Sequence, residues 1–412
     1  MLITSSCPSP PRPGVRRLER TLYLYAGLED FVLLYPVYAL LFAGHGLDTA
    51  EISSLFALWS LTGLLAEVPS GVWADAVSRR LLVAVGPLLT AAGFALWVLF
   101  PSYGAYAAGF VLWGVGGSLR SGAMEALVHD ELERLGAASR YGRVMGRAAA
   151  VSMAATAAAT AAAAPAFARG GELLVGAGSV VSCLLCAAVG ASLPEDRGPT
   201  RRDGGRRARR GAYTAALRAG LAEVRGSRRV RHALLLSVVV TSVWGALDEY
   251  VPLLAAATGV ATATVPLLVL VVWVGVTLGS LLVGVGERFS GRTLGAAVAA
   301  GAAALAAGAL SGGPGGFVLV GAGFLVFQLT DVLADARLQE AITGPSRATV
   351  TSLAGLGTGL TTLLVYGTYA GLSAHASHGA VFALLALPYL AVAVLFGRAR
   401  TGDGATGTAR GR

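Results

Sequence analysis

The chain has 412 residues, of which 55% are hydrophobic, with a further 56 glycines, only 13% charged residues and a mean hydropathy of +0.67. That charge content is about half the usual share of a soluble globular domain. It excludes a disordered chain, a coiled coil or a disulfide scaffold, and argues strongly against a soluble enzyme, whose surface needs far more charge. The net charge is +9, and every one of the 32 basic residues is Arg. This fits a GC-rich bacterial genome and a cytoplasmic basic rim better than nucleic-acid binding.

A polar N-terminal tail (1–18), an Arg-rich stretch (194–231) and a C-terminal tail (399–412) frame two apolar stretches, 19–193 and 232–398. A membrane-spanning helix needs roughly 20 apolar residues. The two stretches hold twelve spans, six each: 19–43, 50–73, 80–100, 104–127, 145–168 and 172–193, then 232–257, 263–286, 292–311, 316–340, 347–371 and 377–397. Turn chemistry separates them, as at Gly44-His45-Gly46, Ala168-Arg169-Gly170-Gly171 and Gly312-Gly313-Pro314-Gly315-Gly316. With the N-terminus inside, every Arg except Arg120 and Arg169 falls on the cytoplasmic side. Positive-inside asymmetry predicts this, and it places both termini in the cytoplasm of a bacterial plasma membrane. The Arg-rich linker reads as a solvated segment touching anionic lipid headgroups. It lacks the interleaved aromatics of a nucleic-acid arm.

Cys183 and Cys186 stand three apart within an apolar run and read as packing residues; no metal or other cofactor is expected. Ionisable groups inside spans are costly and mark a pathway or a site. Here they are Glu29, Asp30, Glu67, Arg120, Glu125, Asp248, Glu249, Asp331 and Asp335. Glu29 and Asp30 fall near the middle of what reads as an uninterrupted apolar run. Neighbours on a helix diverge by about 100°, so one acid of each adjacent pair faces the interior. In the tenth span Gln328, Asp331, Asp335 and Gln339 share one face, as the lining of a wet cavity would. Arg120 is positioned to pair with one of the acids and to release it when substrate or a proton arrives.

A weak repeat relates the two halves. Glu29-Asp30 recurs as Asp248-Glu249, offset by 219 residues, and Glu125 aligns with Asp331, offset by 206.

After the second span comes Glu67-Val-Pro-Ser-Gly71-Val-Trp-Ala-Asp75-Ala-Val-Ser-Arg79-Arg80. This stretch resembles the loop signature of the major facilitator superfamily, G-x-x-x-D-R-x-G-R-[RK], in a form similar to its drug and small-molecule transporter branch. Gly71, Asp75, Arg79 and Arg80 match; Ala76 and Ser78 depart from it. A degraded copy, Gly286 to Arg292, follows the eighth span. The resemblance implies an all-α membrane protein with twelve transmembrane helices in two pseudo-symmetric six-helix bundles. It also implies that Gly71, Asp75, Arg79 and Arg80 form a cytoplasmic gating loop; the four-residue spacing of Asp75 and Arg79 permits an ion pair.

The expected function is secondary active transport of a small molecule by alternating access, coupled to protons, with drug or metabolite efflux favoured. The protein would work as a monomer among membrane lipids. The fifth span lacks the Gly-Pro motif of drug–proton antiporters, which keeps uptake or facilitated movement as an alternative. A membrane-embedded transferase built on Asp331-x-x-x-Asp335 is a third reading, and it leaves the repeat and the loop unexplained.

Overall fold

The structure is a computed structural model that describes residues 13–195, 218, 221–342 and 347–398; the side chains of 68–76, 348 and 397–398 lie outside that description. Among the described residues all regular structure is helical. The helices are α1 (Pro13–Asp30), α2 (Tyr38–Gly44), α3 (Thr49–Ala76), α4 (Arg79–Leu99), α5 (Tyr103–Arg134), α6 (Tyr141–Ala191), α7 (Arg228–Asp248), α8 (Val251–Ala256), α9 (Val265–Leu281), α10 (Val283–Gly286), α11 (Gly291–Leu310), α12 (Phe317–Ala341), α13 (Arg347–Ser373), α14 (His378–Leu385) and α15 (Leu387–Arg398).

Nine helices among the described residues are long and apolar enough to cross a membrane. One, Ala138–Ala191, runs for 54 residues. At 1.5 Å per residue that is about 80 Å, far more than a hydrocarbon core of about 30 Å. It is interrupted at Gly171, whose φ of 56° only glycine adopts without strain, so it supplies two spans. The first and fourth spans fall short of that criterion for physical reasons. The first is broken between α1 and α2, and α5 carries Arg120 and Glu125. Helical segments therefore occupy all twelve expected places.

Leu65, Leu281 and Leu364 are 65–75% exposed on such helices. In water these faces would associate; against lipid tails they need no protein partner.

The chain divides into two compact units: 1–35 with 62–162 and 169–200, and 36–61 with 163–168 and 201–412. In the first unit α4 and α5 pack through glycines. A Cβ on Gly86 would lie 2.7 Å from the Gly116 carbonyl oxygen, and one on Gly93 2.7 Å from that of Gly109. In the second unit α11 and α12 do the same with Gly301 against Gly323 and Gly308 against Gly316, the residue that opens α12. Small residues let backbones approach where no hydrophobic force drives helices together. Gly109 and Gly116 match Gly316 and Gly323 with a shift of 207 residues, one more than the acidic residues suggested. One residue turns a helix face by about 100°, so Glu125 and Asp331 are not equivalent positions.

Candidate substrate and proton pathway

The first span is broken, contrary to the continuous run read from sequence: α1 ends at Asp30 and residues 31–37 are non-helical before α2. Pro36 lacks an N–H and its ring crowds the preceding turn. α6 satisfies the backbone groups that the break releases. The Leu34 N–H donates to Ser179 Oγ at 3.0 Å, and Ser182 Oγ donates to the Leu28 carbonyl at 2.7 Å. Glu29 and Asp30 thus sit at the end of an interrupted helix. Discontinuous helices of this kind form the binding sites of many transporters. The seventh span is interrupted far more slightly, because Glu249 and Tyr250 keep right-handed helical dihedrals. α7 ends at Asp248, Glu249 and Tyr250 follow, and α8 restarts with Pro252 in its first turn.

In the first unit Arg120 of α5 forms an ion pair with Glu29. Asp30 accepts a hydrogen bond from Ser152 Oγ of α6. These acids line a cavity of about 70 Å³ together with Tyr35, Trp113, Arg120, Cys183 and Cys186. That volume holds a few waters, against roughly 300–1,000 Å³ for a pocket enclosing a drug-sized ligand. Tyr35 and Trp113 stack at 5.6 Å on its wall. The Cys186 thiol donates to the Tyr25 carbonyl at 3.6 Å, and both cysteines are buried. Both are buried, as packing residues are, and both border the charged cavity.

In the second unit Asp331 of α12 accepts a hydrogen bond from Thr241 of α7. Gln328 donates to Ser280 Oγ of α9 at 3.1 Å, and Gln339 to Thr351 Oγ1 of α13 at 3.3 Å. Three members of the polar stripe therefore each reach a different neighbouring helix. Asp335, Glu125 and Glu67 are exposed. The group of potential metal ligands brought together among the described residues is His129, Asp130 and Glu133, all exposed, and it includes neither Asp331 nor Asp335.

Gly71 and Asp75 lie in the last turns of α3, with side chains outside the described set. Arg80 is exposed, whereas Arg79 pairs with Asp130 at the end of α5. Ser78, which departs from the family glycine, caps α4 by accepting the Leu81 N–H at 3.1 Å. Glu195, just after the sixth span, receives the Ser78 hydroxyl and the Arg79 N–H, the latter at 2.9 Å. A carboxylate at a helix N-terminus meets free N–H groups and the positive end of the dipole. Sequence reading missed Asp130 and Glu195 because their partners are 51 and 116 residues away.

A model described as Major Facilitator Superfamily matches residues 22–337. No curated protein matches the chain by sequence. Among solved structures, the nucleoside transporter NupG is similar with a TM-score of 0.69 at 12% identity, covering 93% of this chain and 98% of that one. A D-xylose–proton symporter reaches 0.68 at 15% identity, covering 93% and 97%. A bacterial homologue of the human lysosomal transporter Spinster reaches 0.67 at 16%, covering 94% and 95%. At such identities the likeness establishes the fold alone.

Proposed function

The chain belongs to the major facilitator superfamily, and from that premise we propose that it is a proton-coupled secondary transporter of a small molecule, with efflux of a drug or metabolite as the favoured direction. Two six-helix bundles, 19–193 and 232–398, alternate the access of a central pathway, and the protein acts as a monomer in a bacterial plasma membrane. The observation that carries this reading is the Glu29–Arg120 pair bordering a cavity at a helix break. An ion pair inside a span is expensive, and a purely structural pair is replaceable by apolar packing. A pair that lines a cavity can open when a substrate or a proton takes the place of one partner.

Glu29, Asp30, Asp248, Glu249, Gln328 and Asp331 line the pathway with Arg120, while Glu67, Glu125 and Asp335 serve its ends. Gly71, Asp75, Arg79 and Arg80 form the cytoplasmic gate.

The test is flux of uridine, D-xylose and ethidium in proteoliposomes under an imposed pH gradient. Gradient-dependent movement of one of them is expected, lost in Arg120→Ala at normal expression. Flux indifferent to the gradient for every solute moved would remove proton coupling, and unchanged flux in Arg120→Ala would remove the pair from the mechanism. Uptake is the second reading. It is favoured by the missing Gly-Pro in the fifth span, where the only Pro is Pro165, and by a D-xylose–proton symporter among the similar structures.

A further inference from the structure

The break in the first span and the α7–α8 junction in the seventh each carry two adjacent acids, but they differ in charge balance. At the first, Arg120 answers Glu29 and Ser152 answers Asp30. At the second, neither Asp248 nor Glu249 has an ion-pair partner among the described residues. The 207-residue shift of the glycine pairs puts Phe327 where the first half has Arg120, and Phe327 stacks on Tyr389 at 3.7 Å. The repeat has thus kept the acid and replaced its cation by an aromatic ring.

Asp248 stands apart further. Its Oδ1 is fully buried without a hydrogen-bond donor. The other carboxylate oxygen in that position among the described residues, Glu19 Oε1, has Arg140 at 2.9 Å. The helices packed against α7 carry few ionisable groups near it. α13 supplies Tyr366, within electrostatic reach of Asp248 and Glu249. α12 supplies Asp331, already bonded to Thr241, and α15 supplies Tyr389, whose hydroxyl donates to the Val240 carbonyl at 3.0 Å. On the site's own chain segment stand Glu249 and Tyr250, the latter bonded to Ser53 at 2.8 Å. None of these groups is a cation.

We propose that Asp248 binds the coupling proton, whereas the Glu29–Arg120 pair, neutral as a unit, responds to the solute. This deepens the transporter reading and rests on it. Asp248 is half-buried, and a charged carboxylate with one oxygen buried, no donor on it and no counter-charge is costly to keep. A proton from one aqueous side adds to the carboxylate as an O–H and leaves as hydronium on the other; no other bond changes. Losing the charge is what lets the α7–α8 junction move through an apolar environment.

The experiment needs no known substrate for its first arm. Infrared difference spectra of the purified full chain between acid and alkaline pH report the carbonyl stretch of a protonated carboxylic acid. Every titrating acid adds to this region, so we expect one component of it in the wild type and in Glu29→Gln, its loss in Asp248→Asn, and its return, displaced, in Asp248→Glu. In the second arm, Asp248→Asn proteoliposomes should exchange uridine, D-xylose or ethidium, whichever the wild type moves, while gradient-driven flux falls to the rate without a gradient. Spectra of Asp248→Asn identical to the wild type's, or gradient-driven flux retained by it, overturn the assignment. So does loss of exchange in both Asp248→Asn and Asp248→Glu, because that marks a structural or solute-holding role. If the wild type moves no solute while that component still follows Asp248, the transporter reading fails and the proton site stands.

Discussion

At the residue scale, Arg120 is the position where one change has the most to say. Its side chain is 33% exposed and that of Glu29 20%. Removing one partner of a fully buried pair typically costs roughly 3–5 kcal/mol, and partial solvation reduces that here to about 1–3 kcal/mol. Arg120→Ala should therefore lower the unfolding midpoint in detergent, and Glu29→Ala/Arg120→Ala together should recover part of the loss. Additive single effects would mean that the two side chains do not hold each other. Ser78 offers a second local test. Its hydroxyl caps α4, so Ser78→Ala should cost about 1 kcal/mol of stability, read in the same unfolding assay. Ser78→Gly restores the family residue and should cost less than the alanine, because glycine is tolerated at an N-cap. An alanine variant as stable as the wild type would remove the cap from the account.

At the element scale, the structure's main additions are the break in the first span and the slighter interruption between α7 and α8. Twelve apolar segments are legible in the sequence because membrane spans are long and their turns carry Gly and Pro in clusters. The interruptions are legible only in part. Pro36 follows Glu29 by seven residues and Pro252 follows Asp248 by four, yet both prolines lie in runs apolar enough to read as one helix. What decides the matter is where the freed backbone groups find partners, and Ser179 and Ser182 are about 150 residues away in sequence. The repeat is legible from its acids but one residue out of register in the tenth span, since acids are sparse markers. The glycine contacts are denser and fix it. They also predict that Gly86→Ala drives a methyl into the Gly116 carbonyl and parts α4 from α5. Overpacking of this kind costs about 1–3 kcal/mol. Gly63→Ala, which meets no atom within 4 Å, serves as the neutral comparison. Equal unfolding midpoints for the two variants would refute close α4–α5 packing.

At the scale of the whole molecule, the distribution of Arg argues for one orientation in the membrane. Long apolar helices can thread a membrane either way; the Arg-rich segments choose, because they are held on the cytoplasmic side. With the N-terminus inside, the Ser102 turn between α4 and α5 faces outward and the Gly136 turn between α5 and α6 faces the cytoplasm. Both positions are accessible in the structure, Ser102 exposed and Gly136 in a turn with φ of 65°. In a background with Cys7, Cys183 and Cys186 replaced by Ser, a cysteine at Ser102 should react with an impermeant maleimide in intact cells. A cysteine at Glu133, beside the Gly136 turn and free of that turn's positive φ, should react only after permeabilisation. The reverse pattern would invert the molecule. Asp130, Arg79 and Glu195 would then face outward, and the loop read as a cytoplasmic gate could not be one. Labelling of both from outside would instead break the alternation of spans between them, and with it the twelve-span count on which the two-bundle reading depends.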